Sequence, residues 1–203
     1  MPGQRAEKDS RRAQILRAGH GVALRVGLDR LTVRLVAAKA GLSTGLVLFY
    51  FKTRERLVAA LLGPLLKGTL VRGFTQTLAR ARSPLARLRT LLRSEMIRLS
   101  KEPRAIRLIF EYWVRGFRHP EIRARMRAER RLYGEAFGPA VEAVLAAEPE
   151  RLRKVSAEGL TAAAVGMVEG YTLQSVTGPE QPDVDEYLTA AKVLLEEPGK
   201  SAA

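Results

Sequence analysis

The chain has 203 residues, of which 35 are Lys or Arg and 21 are Asp or Glu, giving a formal net charge of +14 with two His and no Cys. A hydrophobic fraction of 46% is enough for one or two compact domains and excludes global disorder, while the lack of Cys excludes disulfides and Cys-based zinc or catalytic sites. Because the first ten residues are polar and charged and the longest uncharged stretch spans only 40–51, we expect a soluble cytoplasmic protein without a membrane partner.

Apolar residues recur at helical spacing along almost the whole sequence, and no alternating β-branched run predicts a strand. The prediction is therefore an all-α fold of about nine helices. The first helix is predicted from Ala6 to Val26, and the fourth meets a break or kink at Gly63-Pro64. The predicted ranges are about 6–26, 33–40, 44–50, 54–80, 84 onward, 104–118, 120–147, 151–177 and 184–197.

Two short predicted helices lie close together in the segment 31–57. Gly41 permits a left-handed turn between them, Leu42 fills the space beneath the turn, and Ser43 caps the following helix. With the long first helix they make a three-helix arrangement that contains a helix-turn-helix. The second short helix is about 10 Å long and fits a major groove about 12 Å wide by its N-terminal end. The residues nearest the bases are then Thr44, Gly45 and Leu46.

Charge is segregated along the chain. Lys+Arg minus Asp+Glu is +8 over residues 1–60, +12 over 61–140 and −6 over 141–203. A basic N-terminal part suits a polyphosphate partner, whereas an acidic C-terminal part repels one. We therefore predict a helix-turn-helix DNA-binding domain over 1–53, followed by a helical bundle over 54–203.

The segment from Leu31 to Leu57 resembles the DNA-binding domain of the TetR family of bacterial transcriptional regulators. The residues that carry the resemblance read LTVRLVAAKAGLSTG and LVLFYFKTRERL, which fit the family pattern TV..+A..AG.S.G....YF....L. The resemblance implies a two-domain repressor that binds palindromic operator DNA as a homodimer. A small-molecule inducer, bound by the domain over 54–203 that also dimerises, would release it.

The resemblance also implies which residues touch double-stranded DNA. Thr32 and Arg34, at the start of the second helix, contact the sugar-phosphate backbone, and Tyr50 donates its hydroxyl to a phosphate. Lys52 and Arg54 hold phosphates at the start of the fourth helix. The complete predicted DNA-binding set is Thr32, Val33, Arg34, Ser43, Thr44, Gly45, Leu46, Phe49, Tyr50, Lys52 and Arg54.

The recognition helix departs from the family pattern at Leu48 and Phe49, where many members carry Tyr followed by a polar residue. Two interpretations stay open for this pair: contact with DNA, or packing in the core of the small domain. Direct base readout is expected from Thr44 against a thymine methyl group and from Arg34 against guanine.

Most aromatic residues lie between 84 and 147, and the resemblance implies that the inducer binds there, among helices of the bundle. The alternative is that these residues form ordinary core. Arginines of the same segment suggest an anionic inducer, such as a carboxylate or an acyl-CoA, or else a solvated helix surface. The predicted ligand-binding residues are Met96, Arg89, Arg93, Phe110, Trp113, Phe117, Tyr133 and Phe137.

The resemblance implies that the last two helices form the dimer interface about a two-fold axis. Small residues near 162–170 would let two backbones approach closely, although the same residues could also pack within one chain. The predicted interface residues are Ala163, Gly166, Gly170, Leu173, Leu188 and Leu194.

Two other classes of function are weighed against this prediction. A helical enzyme is disfavoured because the sequence shows no paired carboxylates, activated nucleophile or cofactor loop, and two isolated His predict no metal site and no cofactor. A basic nucleic-acid-binding protein without sequence preference is the second alternative. Competition with bulk DNA separates it from a repressor.

Overall fold

The computed structural model describes residues 2–69, 83–178 and 183–195. Within these ranges the protein has nine helices and no strand, which confirms the all-α prediction. Among the described residues no single helix is long and apolar enough to cross a membrane. By length and composition alone, only the bent pair of helices Val33–Ala40 and Thr44–Phe51 could do so together. The helices are α1 (Pro2–Val26), α2 (Val33–Ala40), α3 (Thr44–Phe51), α4 (Arg54–Thr69), α5 (Pro84–Ser100), α6 (Pro103–Arg118), α7 (Pro120–Ala147), α8 (Ala157–Thr177) and α9 (Val184–Leu195).

The helix α4 continues through Pro64. A proline inside a helix removes one backbone donor and crowds the preceding turn, which is why a break or a kink is predicted at Gly63-Pro64. Of these two alternatives the break is wrong, since α4 runs unbroken from Arg54 to Thr69, and the kink stays a prediction. The predicted extension of this helix to residue 80 lies outside the described residues.

The helix α8 begins later than predicted. Residues 149–154 form turns, and the Ser156 hydroxyl caps the helix by accepting a hydrogen bond from the Gly159 N–H at 3.0 Å. The predicted start near residue 151 is wrong because this cap, and not Pro149, sets the first turn. The predicted end of the last helix at residue 197 lies beyond the described residues.

The chain divides into two compact units by its internal contacts. The first unit comprises residues 1–70 and 104–131, and the second comprises 71–103 and 132–203. The predicted boundary after residue 53 therefore falls inside the first unit, where α4 and α6 accompany the first three helices. As a division between DNA-binding and ligand-binding functions, that boundary stays a prediction.

The core of the first unit is built where α1 meets α2 and α4, and where α3 meets α2 and α4. Tyr112 of α6 is also buried, and its hydroxyl donates a hydrogen bond to the Val58 carbonyl of α4 at 2.7 Å. Burial raises the pKa of Tyr112 well above its usual value, so this hydroxyl stays protonated and keeps donating. The most buried apolar residues include Ile15, Val22, Leu28, Leu31, Val36, Val47, Leu57 and Leu61.

In the second unit, α5 packs against α8 and α9. The apolar core contains a charged side chain, Glu95 of α5, which is only 3% exposed. A buried carboxylate is stable only when it is hydrogen-bonded or paired, so Glu95 requires polar partners within this core. The surrounding buried residues include Leu91, Met96, Leu99, Phe137, Val141, Val165 and Val168.

Candidate functional site

Local caps fix the start of α2, the turn after it and the start of α3. The Thr32 hydroxyl accepts a hydrogen bond from the Leu35 N–H at 3.2 Å, and the Ser43 hydroxyl accepts one from the Leu46 N–H at 3.1 Å. Gly41 follows α2 in the left-handed region, with φ 67° and ψ 36°. The chain bends by 110° between the two helices. These features confirm the predicted helix-turn-helix.

The helix α3 buries one narrow face and exposes the rest. Val47 and Phe51 are buried, whereas Leu48 and Phe49 are 40% and 60% exposed. Packing of Leu48 and Phe49 in the core, one of the two interpretations left open by the sequence, is therefore wrong. The reason is geometric: Val47 and Phe51 form the inner face of α3, flanked by the half-buried Leu46 and Tyr50, and Leu48 and Phe49 lie on the outer side.

Phe49 is held in place by its neighbours on the same helix. The Lys52 Nζ lies 5.2 Å from the centroid of the Phe49 ring, and the Tyr50 ring meets it edge-on with centroids 5.5 Å apart. A cation over an aromatic face is attractive, more so where water is excluded. The exposed ring therefore has a defined orientation.

Lys52 ends α3 in an unusual backbone conformation. Its φ is 65° and its ψ −51°, and its N–H donates to the Leu48 carbonyl at 2.7 Å. Among the described residues it is the only one other than glycine with positive φ. Such a conformation costs about 1–3 kcal/mol and is usually found where it serves a site.

Arg54 connects α4 to the loop between α1 and α2. Its Nε donates to the Leu31 carbonyl at 2.7 Å, and its Nη2 donates to the carbonyls of Leu28 and Asp29 at 2.6 and 3.1 Å. These bonds occupy Nε and Nη2 on the protein's own backbone. The sequence predicts that Arg54 binds a DNA phosphate. With Nε and Nη2 bonded to backbone carbonyls, the nitrogen that would do so is Nη1, which lies 3.8 Å from Glu55 Oε1.

The same loop is held from α6 by Glu111. The Glu111 carboxylate accepts a hydrogen bond from the Leu28 N–H at 2.6 Å and lies 3.5 Å from the Arg107 Nε. Arg115, one turn further along α6, pairs with Asp29. No local sequence pattern marks these contacts, since the partners are 83 and 86 residues apart.

The predicted DNA-binding residues all lie in the first unit, on α2, α3 and the residues next to them. Their exposure differs in a way that periodicity alone does not predict. The half-buried members are Val33, Leu46, Tyr50 and Arg54. The exposed members are Thr32, Arg34, Ser43, Thr44, Gly45, Phe49 and Lys52.

The predicted ligand-binding residues are divided between the two units. Phe110 and Trp113 belong to the first unit and are half-buried, with ring centroids 6.3 Å apart. Phe117, on the same helix, is 79% exposed, and its role as a ligand-binding residue stays a prediction. Its position on α6 turns it away from the core that buries Ile106 and Tyr112.

In the second unit, Met96 and Phe137 are fully buried beside a polar cluster formed by Glu95, Arg98 and Tyr133. The Tyr133 hydroxyl donates to Glu95 Oε1 at 2.9 Å, and Arg98 donates to Glu95 through Nε at 2.8 Å and Nη2 at 2.5 Å. Tyr133 stacks on Phe137 with centroids 6.3 Å apart. Burial, followed by the nearby Glu95 charge, raises the pKa of Tyr133 far above its usual value.

The predicted ligand arginines Arg89 and Arg93 bind α9. Arg93 Nε donates to both carboxylate oxygens of Asp185 at 2.9 and 3.0 Å, and Arg89 Nη2 lies 3.4 Å from the Thr189 hydroxyl. Both arginine side chains are about half exposed. Surface contacts between α5 and α9 engage both arginines, and their role in ligand binding stays a prediction.

The predicted dimer residues separate into exposed and buried sets. On α8, Ala163, Gly166 and Leu173 are exposed. Among the described residues, a Cβ built at Gly166 would meet no atom within 4 Å apart from adjacent residues and the backbone of its own helix. Gly170 is half-buried and faces Tyr187 of α9. Leu188 is 6% exposed, so its prediction as an interface residue is corrected: it fills its own unit's core. The side chain of Leu194 lies outside the described residues.

Two family models match the chain. Residues 15–61 match the model of bacterial regulatory proteins of the tetR family. Residues 84–197, more than half of the chain, match the model of the BetI-type transcriptional repressor, C-terminal. The HTH-type transcriptional regulator BetI of Yersinia pestis (strain Pestoides F) is 24% identical over 190 residues, which cover 92% of this chain and 91% of the relative.

Solved structures share the fold. A TetR transcription regulator from Haloarcula marismortui ATCC 43049 aligns with a TM-score of 0.68 at 20% identity, covering 91% of this chain and 96% of that one. A transcriptional regulator from Saccharomonospora viridis, solved in complex with choline, aligns with a TM-score of 0.62 at 16% identity, covering 94% and 97%. At these identities the likeness concerns the fold alone.

Proposed function

Because the chain belongs to the TetR family of bacterial transcriptional regulators, we propose that it represses transcription by binding a palindromic operator as a homodimer, and that a small-molecule inducer releases it. The family and the relatives that it matches are DNA-binding regulators and not enzymes, and the same holds for this chain. The match of its C-terminal part to BetI-type repressors supports repression over activation. The proposed location is the cytoplasm, where bacterial operators lie.

The observation that carries the proposal is the capped helix-turn-helix with an exposed α3. The caps at Thr32 and Ser43 fix both helix starts, and the 110° bend leaves α3 free to enter a major groove. Exposed cations precede and follow α3 in the sequence: Arg34 and Lys39 lie on α2, and Lys52 follows α3. They are suited to phosphates flanking the groove.

The proposed contacts follow from exposure. Thr32 and Arg34 meet the sugar-phosphate backbone at the start of α2, and Thr44 enters the groove first. The Tyr50 hydroxyl and Lys52 contact phosphates at the far end of α3. Arg54 acts mainly by holding the loop before α2, with Nη1 directed to phosphate in the bound state.

The test of DNA binding is a footprint of the full-length protein on its own promoter region with excess bulk DNA present. A repressor gives one protected, palindromic site that survives the competitor. Protection spread over the fragment and removed by the competitor would favour the alternative, a basic protein without sequence preference. Measuring the affinity at several salt concentrations separates phosphate contacts from base contacts. Each phosphate contact adds about −0.9 to the slope of log affinity against log salt concentration.

For the inducer, the buried cluster around Glu95 favours a positively charged ligand. Three of the arginines that suggested an anionic inducer pair with carboxylates: Arg93 with Asp185, Arg107 with Glu111 and Arg115 with Asp29. The buried Glu95 carboxylate lies beside the stacked rings of Tyr133 and Phe137, a combination suited to an organic ammonium ion. Because Arg98 already pairs with Glu95, such a ligand would take the place of the Arg98 guanidinium. The structural neighbour from Saccharomonospora viridis was solved with choline, which is such an ion.

The inducer class is tested by calorimetric titration of the full-length dimer with choline and, separately, with octanoyl-CoA. Choline binding that is lost in Glu95→Gln and kept in the exposed control Glu102→Gln would support the cationic class. Octanoyl-CoA binding that releases the operator would contradict it and support the anionic class.

The proposed dimer interface uses the exposed face of α8. Ala163, Gly166 and Leu173 share this face because they are separated by three and seven residues, and small side chains let two helices approach closely. Two-fold symmetry of the protein then matches the palindrome of the operator. Light scattering of the full-length protein measures the mass directly.

A further inference from the structure

The recognition helix α3 is almost devoid of the side chains that read bases by hydrogen bonds. Its eight residues, TGLVLFYF, include no charged group, no Asn and no Gln. Its polar side chains are the hydroxyls of Thr44 and Tyr50. Since guanine and adenine are usually read by Arg, Lys, Asn or Gln, hydrogen-bond readout from α3 is limited to these two hydroxyls.

What α3 presents instead is an apolar face. Gly45, Leu48 and Phe49 are spaced i, i+3 and i+4, so they lie on one side of the helix, and all three are exposed. Thr44 precedes Leu48 by one turn and adds its methyl group to the same side. Leaving Leu48 and Phe49 in water costs free energy, which contact with an apolar partner would recover.

The charge around this face indicates that the partner is a nucleic acid. Arg34 and Lys39 on α2 and Lys52 after α3 are all exposed, and α2 and α3 together contain no acidic residue. An exposed apolar patch on two helices that carry cations and no acidic residue complements the major groove, whose floor carries methyl groups and whose edges carry phosphates. In that groove the apolar group on the base edge is the C5-methyl of thymine.

The Phe49 ring is oriented before DNA binds. Lys52 Nζ covers one face at 5.2 Å, and Tyr50 meets the ring at an interplanar angle of 85°. The strained backbone of Lys52, with φ 65°, is part of the conformation that brings the ammonium to the ring. A ring held in this way loses little side-chain entropy on binding.

We propose that this chain selects its operator through the C5-methyl groups of thymine, read by Leu48 and Phe49. The proposal deepens the proposed function and rests on it, since it assumes that α3 enters the major groove. Lys52 then has two tasks, to orient Phe49 and to contact a phosphate. Leu48 and Phe49 are the specificity-determining residues, whereas Thr32 and Arg34 fix the register of the protein on DNA.

The test starts from the duplex that the full-length protein enriches from a random pool. Each thymine is replaced in turn by deoxyuridine, which keeps the base pair and removes only the methyl group. We expect at least one sensitive thymine per half-site, with affinity lowered about fourfold, the ratio for one buried methyl-sized group worth roughly 0.8 kcal/mol. Replacing a sensitive T·A pair by 5-methylcytosine·G should retain more affinity than replacing it by C·G.

Variants assign each methyl group to a side chain. For each of the variants Phe49→Ala and Leu48→Ala, we expect one sensitive thymine position at which replacement by deoxyuridine no longer lowers the affinity. Circular dichroism shows whether the variants remain folded. Leu85→Ala, at a residue of similar exposure in the second unit, is the matched control and should keep the full methyl sensitivity.

The outcomes separate this proposal from the proposed function. If a sequence is enriched and no thymine is sensitive to deoxyuridine, or if the variants keep the sensitivity, the methyl readout is overturned and the repressor function stands. If no sequence is enriched, the protein binds without sequence preference and both proposals fall.

Discussion

The Glu111 carboxylate accepts a hydrogen bond from the Leu28 backbone N–H at 2.6 Å. Leu28 is fully buried, and it lies in the loop that leads from α1 to the start of α2. The loop is thus held twice, by Glu111 of α6 through this N–H and by Arg54 of α4 through the Leu28 carbonyl at 2.6 Å. The position of Thr32, the first proposed phosphate contact, depends on both.

We expect Glu111→Ala to weaken operator binding although Glu111 is not itself a proposed DNA contact, because the loop that positions Thr32 loses its support from α6. The buried Leu28 N–H would lose its charged acceptor, at a cost of about 1–2 kcal/mol in the free energy of unfolding after allowance for the partly exposed carboxylate. Urea unfolding and operator affinity measure the two effects. Glu111→Gln keeps an acceptor oxygen and should recover most of both, whereas Glu121→Ala, an exposed residue of the same unit, should change neither. Full operator affinity in Glu111→Ala would show that the loop needs no support from α6.

Lys52→Gly should stabilise the protein and weaken DNA binding at the same time. Glycine adopts a φ of 65° at little cost, so relief of backbone strain should raise the free energy of unfolding by about 1 kcal/mol. Loss of the ammonium should reduce the magnitude of the salt slope by about 0.9 per protomer.

Lys52→Ala is the matched control for that experiment, because it removes the same charge and keeps the strained backbone. It should reproduce the weaker DNA binding without the gain in stability. An unchanged salt slope in both variants would exclude Lys52 from the phosphate contacts.

The contact between Arg93 and Asp185 should make stability depend on pH in the acid range. The Arg93 hydrogen bonds lower the pKa of Asp185 below its ordinary value. The contribution of the contact is therefore complete above the unfolded-state pKa and is lost as the pH falls through the lower folded-state pKa. Asp185→Asn should lower the Tm at pH 7, and the difference from the natural protein should vanish in strong acid. Glu186→Gln, at the neighbouring exposed residue, should show no such trend.

Gly166→Gln should yield a folded monomer. Within the described part of the chain, a Cβ at Gly166 meets nothing within 4 Å apart from adjacent residues and the backbone of α8. Gln is also a better helix former than Gly by roughly 0.5–1 kcal/mol, so the protomer itself is not harmed. The added side chain would stand between two copies of α8. Light scattering gives the mass and circular dichroism the helix content. Gly21→Gln, at another open glycine on α1, should remain dimeric. A dimeric Gly166→Gln would place the interface elsewhere.

The sequence alone determined the features that depend on near neighbours. Thr32, Gly41 and Ser43 act on backbone groups within a few residues, so their capping roles and the helix-turn-helix follow from local spacing. Helical periodicity likewise predicts the all-α fold. The mistaken start of α8 arose where two local signals competed and Ser156, not Pro149, provided the cap.

The tertiary structure decided which side chains are free to meet a partner. Arg54 and Arg93 look alike in sequence as exposed cations, yet one binds backbone carbonyls about 25 residues away and the other binds Asp185, 92 residues away. Leu48 and Phe49 belong to a helix so uniformly apolar that periodicity does not distinguish an inner from an outer face. Only the packing of α3 on its small core shows that they are exposed, because burial depends on contacts between residues distant in sequence.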